Sequence, residues 1–149
     1  MSSKINITIK PSDLNGYKNL CPLNGDNIYE LDVDDASCTE IIADQIIDYI
    51  DSSKLAEVLQ GYVSKIRHKG KIILGGTDVI EVAKRCLQQS MNLHEINTIL
   101  YGIEDGSGWG SKRGCSSILV ISTLLSKMGL TITKKRLDSN YFIVEAYRD

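Results

Sequence analysis

The stretch DSSKLAEVLQGYVSKIRHKGKIILGGTD, running from Asp51 to Asp78, holds a helix, a strand and the turn out of it in one run. Leu55, Val58, Leu59, Tyr62, Val63 and Ile66 recur at three- and four-residue spacing, which predicts a helix over Ser53 to His68 with one apolar face. Asp51 and Ser52 offer N-cap oxygens, and Gly70 follows a basic last turn, as helix ends prefer. Lys71-Ile72-Ile73-Leu74 then reads as a short central strand. Gly75-Gly76-Thr77-Asp78 turns the chain into a second helix, with Thr77 expected as its N-cap and Ile80, Ala83 and Leu87 expected to face inward.

The same alternation extends in both directions and points to an α/β fold with a mostly parallel sheet. Upstream, strands are expected at Ile5 to Ile9, Tyr17 to Cys21, Ile28 to Leu31 and Glu40 to Ile47. Downstream, Asn92-Leu93-His94-Glu95 resembles a capping box opening a short helix through Leu100, and Gly102 to Gly114 reads as a loop. A further helix over Ser116 to Met128 stops at Gly129. Thr131 to Leu137 and Tyr141 to Tyr147 read as a closing hairpin around Asp138-Ser139-Asn140.

At 149 residues the chain fits one domain, and its 42% hydrophobic content, 24% charged content and net charge of −2 describe an ordinary globular protein. That balance gives no overall field to attract nucleic acid or an anionic membrane. The longest apolar runs, such as Ile118 to Ile121, fall far short of the roughly 20 residues of a membrane span. The start, Met1-Ser2-Ser3-Lys4, has no signal-peptide core. Cys21, Cys38, Cys86 and Cys115 are widely spaced, with no C-x-x-C pair and only His68 and His94 to assist. That pattern argues against a metal site and for reduced thiols, hence for a cytoplasmic protein.

The order of elements, ending in helix, strand, turn and strand, resembles the class I S-adenosylmethionine-dependent methyltransferases over nearly the whole chain. The motifs carrying the resemblance are Gly16-Tyr17-Lys18-Asn19 at the second strand, Glu40-Ile41-Ile42-Ala43 at a later one, Val63 to Leu74 across the helix and strand, and Met128-Gly129-Leu130 before the hairpin. It implies a Rossmann-like sheet with helices on both faces and a C-terminal antiparallel hairpin. It also implies S-adenosylmethionine as cofactor and a methyl acceptor as partner.

The positions that match the family's cofactor contacts carry other residues. Two glycines after the first strand are expected to meet the amino-acid part of the cofactor, and the matching residues are Thr8 and Lys10. An acid ending the second strand is expected to bind the ribose hydroxyls, and the matching residue is Cys21. A thiol is a poor acceptor, so a charge-assisted bond worth about 1.5–3 kcal/mol is absent there. The implied cofactor site is therefore Thr8, Lys10, Asn19, Cys21, Asp44 and the Gly75-Gly76 turn. Asp44 and Asp48, at the end of the Glu40 strand, are the general-base candidates, set against solvated carboxylates.

The string Gly106-Ser107-Gly108-Trp109-Gly110 lacks the strand-turn-helix context of a nucleotide loop and reads as a surface loop. As a substrate or partner loop it would offer Trp109, Lys112 and Arg113 for stacking and anion contacts. Lys134-Lys135-Arg136 reads as a solvated strand edge, without the interleaved aromatics of a single-strand binder. Three readings stay open: a methyltransferase with a modified cofactor pocket; a non-catalytic scaffold or assembly subunit, as a viral or phage accessory protein in host cytoplasm or virion would be; and a binder of some other nucleotide or anion through Lys10 and the loop cations.

Overall fold

A computed structural model describes residues 3–149. Six strands form one sheet: β1 (Ser3–Ile7), β2 (Lys18–Leu20), β3 (Cys38–Ala43), β4 (Ile66–Thr77), β5 (Thr131–Asp138) and β6 (Tyr141–Tyr147). Four helices accompany them: α1 (Leu55–Lys65), α2 (Val79–Leu87), α3 (Leu93–Tyr101) and α4 (Ile118–Lys127). The order across the sheet is β2-β1-β3-β4-β6-β5. The first four are parallel and β6 runs antiparallel to both β4 and β5, the mostly parallel sheet with a closing hairpin that the alternation implied.

Strand periodicity divides the sheet into two unlike faces. Ile5, Ile41, Ile72 and Ala146 lie in register, and all are fully buried. With Ile7, Ala43, Leu74, Phe142 and Val144 they form one core with Leu59, Tyr62 and Val63 of α1 and Ile121 and Leu125 of α4. Asn6, Ile42, Ile73, Glu145 and Lys134 form the neighbouring row, which points the other way. There the isoleucines are only half-buried, and α3 with the loop after it borders this second face at the carboxyl ends of the strands.

Several elements differ from the sequence expectation for local reasons. Helix α1 ends at Lys65, three residues before the expected end, and Ile66 already pairs with Cys38. The next registered pair is Glu40 with Lys71, so the intervening residues of β4 bulge outward. Gly70 therefore sits inside this irregular strand, where a Cβ would lie 2.7 Å from the Cys38 carbonyl, and does not terminate the helix. Asp51 does not cap α1 either, since its carboxylate accepts from Ser53 and closes a turn one step earlier. The N-cap of α2 is Asp78, whose Oδ1 accepts from the amides of Ile80 and Glu81, while Thr77 ends β4. The expected inward face of α2 is also corrected: Val82 is buried, and Ile80, Ala83 and Leu87 are exposed.

Upstream, Ile28 to Leu31 is not a strand. Ile28 and Leu31 are buried, but the segment is irregular, and the Tyr62 hydroxyl donates to the Ile28 carbonyl at 2.5 Å. The Glu40 strand starts at Cys38 and stops at Ala43, where the chain turns through Gln45 at φ +63° into a 3-10 turn, Ile47–Tyr49. Residues 8–17 join β1 to the parallel strand β2 without a helix. The Asn19 side chain organises that crossing, accepting from Asn6 Nδ2 (2.9 Å) and the Leu14 amide (3.1 Å) and donating to the Leu14 and Tyr17 carbonyls.

Candidate functional site

A cavity of about 920 Å³ opens at the carboxyl ends of β1 and β3, on the second face of the sheet. Open α/β sheets bind ligands there, in the crevice outside the strand ends, and the volume lies within the range of small-molecule sites. Its wall includes Asn6, Thr8, Lys10, Ile42, Asp44 and Trp109. Thr8, Lys10 and Asp44 of the expected cofactor set are thus brought together. Asn19, Cys21 and Gly75 do not line the cavity.

Each of those three has another role. Asn19 spends its amide on the β1–β2 crossing. Cys21 is 2% exposed, its thiol donates to the Ile9 carbonyl at 3.2 Å, and its amide donates to Asp26 Oδ2 at 2.9 Å. Gly75 lies in β4 behind Asp44, where a Cβ would overlap Asp44 Oδ1 and come within 2.6 Å of the Tyr141 hydroxyl. The missing side chain leaves room for the Tyr141 hydroxyl to donate to Asp44. Burial, then this bond to Asp44, pushes the Tyr141 phenol well above its ordinary range. Asp44 is a cavity-wall carboxylate oriented by a phenol from the far end of the chain, an arrangement able to accept a proton or hold a cation.

Asp48, the second general-base candidate, is 3% exposed and faces inward. Its oxygens accept from the Thr77 amide (3.0 Å) and hydroxyl (2.7 Å), and Oδ2 lies 3.1 Å from Lys112 Nζ. Lys112 also donates to the Ile99 carbonyl at 2.7 Å, so it ties α3 to the end of β4. Arg113 stacks on Trp109, 3.9 Å from the ring centroid, and donates to the Gly108 (2.6 Å) and Tyr49 (3.1 Å) carbonyls. Tyr29 abuts the same indole at 6.3 Å between centroids. The two loop cations therefore hold the loop together, and Trp109 faces the cavity from an ordered wall.

The glycine string is ordered from within. Glu104 accepts from the Gly106 amide and the Ser111 hydroxyl, and Asp105 Oδ1 accepts from the Ser107 amide and hydroxyl. Those Ser107 bonds hold the Asp105 carboxyl below its ordinary range, and the Lys10 ammonium across the cavity adds to the effect. Lys10 and Asp105 thus put opposite charges on the two sides of the cavity. Asp105 was not a sequence candidate, nor was Tyr141, which lies too far from Asp44 along the chain to form a motif with it. Among the described residues no group of three or more His, Cys, Asp or Glu side chains is placed to hold a metal ion, and no helix is long and apolar enough to cross a membrane.

The sequence matches no protein-family model and no curated protein. Solved structures match it clearly. A S-adenosylmethionine-dependent methyltransferase from Methanosarcina mazei superposes with a TM-score of 0.63 at 13% identity, over 97% of this chain and 82% of its own. An O-methyltransferase family protein from Burkholderia thailandensis gives 0.59 at 12% identity, over 90% of this chain and 36% of its own. A magnesium protoporphyrin IX methyltransferase from Synechocystis, with bound S-adenosylhomocysteine, gives 0.57 at 11% identity, over 91% of this chain and 52% of its own. The chain spans about a third of the second and half of the third. It has the class I S-adenosylmethionine-dependent methyltransferase fold.

Two of the positions that the resemblance marks for the cofactor make bonds within the protein. Past β1 the backbone carries the Thr8 and Lys10 side chains, and the Thr8 hydroxyl donates to the Lys10 carbonyl at 2.6 Å, closing the turn on itself. Past β2 the Cys21 side chain is buried and bonded to the Ile9 carbonyl.

Proposed function

We propose that this protein keeps the methyltransferase fold as a non-catalytic binding or assembly subunit, without the cofactor grip. The observation that carries this reading is Cys21, buried and bonded to the Ile9 carbonyl where the resemblance calls for an acid. The Lys10 ammonium works in the same direction, since it would set a second cation near a sulfonium. A role as an accessory protein of a virus or phage suits a fold reduced in this way.

A competing reading, a methyltransferase that holds S-adenosylmethionine through Thr8, Lys10 and Asp44, draws on the size and position of the cavity. Calorimetry separates the two. The scaffold reading predicts no heat with S-adenosylmethionine or S-adenosylhomocysteine up to millimolar ligand. Binding of both, abolished by Asp44→Ala, would replace it with the enzyme reading. The third possibility, an anion binder, loses support because Lys112 pairs with Asp48 and Arg113 bonds to carbonyls.

A further inference from the structure

The wall of the cavity is unevenly charged. It carries Lys10, Asp44, Asp105 and Lys112. Lys112 is answered by Asp48 at 3.1 Å, which leaves two carboxylates against one ammonium. Among the described residues neither Asp44 nor Asp105 forms an ion pair. Asp44 is prepared for a further partner. The space at Gly75 lets Tyr141 donate to its Oδ1, and the phenol stays protonated, so it orients the carboxylate without cancelling its charge. No hydrogen bond from the described residues reaches Asp44 Oδ2. Ile9, Leu14, Ile42, Ile99 and the Trp109 indole, which Arg113 and Tyr29 hold in place, give the same wall an apolar part.

We propose that this cavity binds a small organic amine, a single cation on an apolar or aromatic body, with its ammonium donating to Asp44 and its body against Ile42, Ile99 and Trp109. The inference deepens the binding-subunit reading above and rests on it, since the ligand takes the space a cofactor would fill. Three observations select this chemistry. The uncompensated carboxylates favour a cation, and a charge-assisted bond is about twice as strong as a neutral one, more so in a cleft that excludes water. Lys10 would repel a second positive group, which limits the ligand to one charge. The cavity, at about 920 Å³, is of small-molecule size, and a lone lysine or arginine side chain from a partner would leave most of it empty. A compact amine also needs no ribose contact, so the thiol at Cys21 is of no consequence to it. Because Asp44 is oriented before the ligand arrives, little conformational freedom is lost at that contact on binding.

Trp109 is the only tryptophan in the chain, so its fluorescence reports occupancy of the cavity directly. Phenethylamine, phenethyl alcohol and hydrocinnamate share a ring and differ in charge. The amine should shift the emission saturably at millimolar concentration. The alcohol should bind about ten- to a hundredfold more weakly, for want of one charge-assisted bond, and hydrocinnamate should give no shift. Asp44→Asn should bring the amine down to the affinity of the alcohol and leave the alcohol unchanged. Asp105→Asn, which keeps the Oδ1 acceptor that Ser107 uses and removes only the charge, should weaken the amine by a smaller factor. The comparison of amine with alcohol uses the wild type alone, so it holds even where Asp44→Asn fails to fold. An alcohol as tight as the amine, an Asp44→Asn variant that folds and keeps wild-type affinity for the amine, or no response to the amine at millimolar concentration would overturn the proposal. So would an acetyl-lysine amide that matches phenethylamine, because it would assign the carboxylates to a partner's side chain. None of these probes resembles S-adenosylmethionine, so this proposal and the reading above fail on different titrations.

Discussion

Asp48 and Lys112 form a charge pair whose side chains are 4% and 15% exposed, joined to Thr77 on one side and the Ile99 carbonyl on the other. Removing one partner of a buried pair leaves the other charge without compensation and costs about 3–5 kcal/mol. Lys112→Met should therefore lower unfolding free energy by about that amount in urea denaturation, and a loss below about 1 kcal/mol would mean that solvent already screens the pair. A different test applies to Gly75, whose missing side chain makes room for the Asp44–Tyr141 bond. Gly75→Ala should destabilise by about 1–3 kcal/mol through overpacking. It should also bring the Tyr141 phenol back towards its ordinary range in a spectrophotometric titration. If the titration of Gly75→Ala matches the wild type, the bond does not depend on that space.

At the scale of elements, the approach to β2 is tied to β3 and β4 on the second face by a polar cluster. The Tyr17 hydroxyl donates to Glu40, and Lys71 Nζ lies 3.2 Å from the same carboxylate. Burial acts to raise the Glu40 pKa, but the bonds from Tyr17 and Lys71 outweigh it and hold the carboxyl below its ordinary range. The bond to Glu40 pushes the Tyr17 phenol from 10.0 up to about 12. Tyr17 donates only while protonated, so its contribution is complete below pH 10 and is lost as pH rises through about 12. The stability gap between wild type and Tyr17→Phe should therefore narrow over that interval. A gap that stays constant would show that the bond makes no contribution. Glu40 has the opposite sign: its share is present above the ordinary carboxylate range and declines as pH falls through its lowered folded value.

The elements also show where periodicity guides well and where it misleads. Helix α1 was legible because five of its apolar residues, Leu55, Val58, Leu59, Tyr62 and Val63, are buried together against the sheet. The same spacing in α2 implied an inward face, yet the helix turns that stripe to solvent. A pattern records that a face is apolar, not which surface will cover it. Ile28 to Leu31 looked like a strand because its apolar residues are indeed buried, but a carbonyl bonded to Tyr62 replaces the ladder. The end of α1 was overread because the basic run 65–69 suits both a helix end and the irregular start of β4.

For the molecule as a whole, the architecture was far more legible than the site. The mostly parallel sheet and its C-terminal hairpin follow from alternating local signals, and the motifs around Gly16-Tyr17, Glu40-Ile41 and Lys71-Ile72 fell at the strands they implied. The cavity depends instead on contacts between distant segments: Tyr141 with Asp44, Lys10 opposite Asp105, and Tyr29 against Trp109. None of these leaves a local pattern. At the positions where the resemblance implies cofactor contacts the sequence carries Thr8, Lys10 and Cys21, and the structure gives each of them bonds within the protein or a place on a charged wall. On the proposed reading, the fold persists without the cofactor grip. Isothermal titration with S-adenosylmethionine and S-adenosylhomocysteine decides it: a subunit without the cofactor grip gives no heat from either at millimolar concentration, whereas saturable binding of both that disappears in Asp44→Ala identifies a cofactor-binding protein.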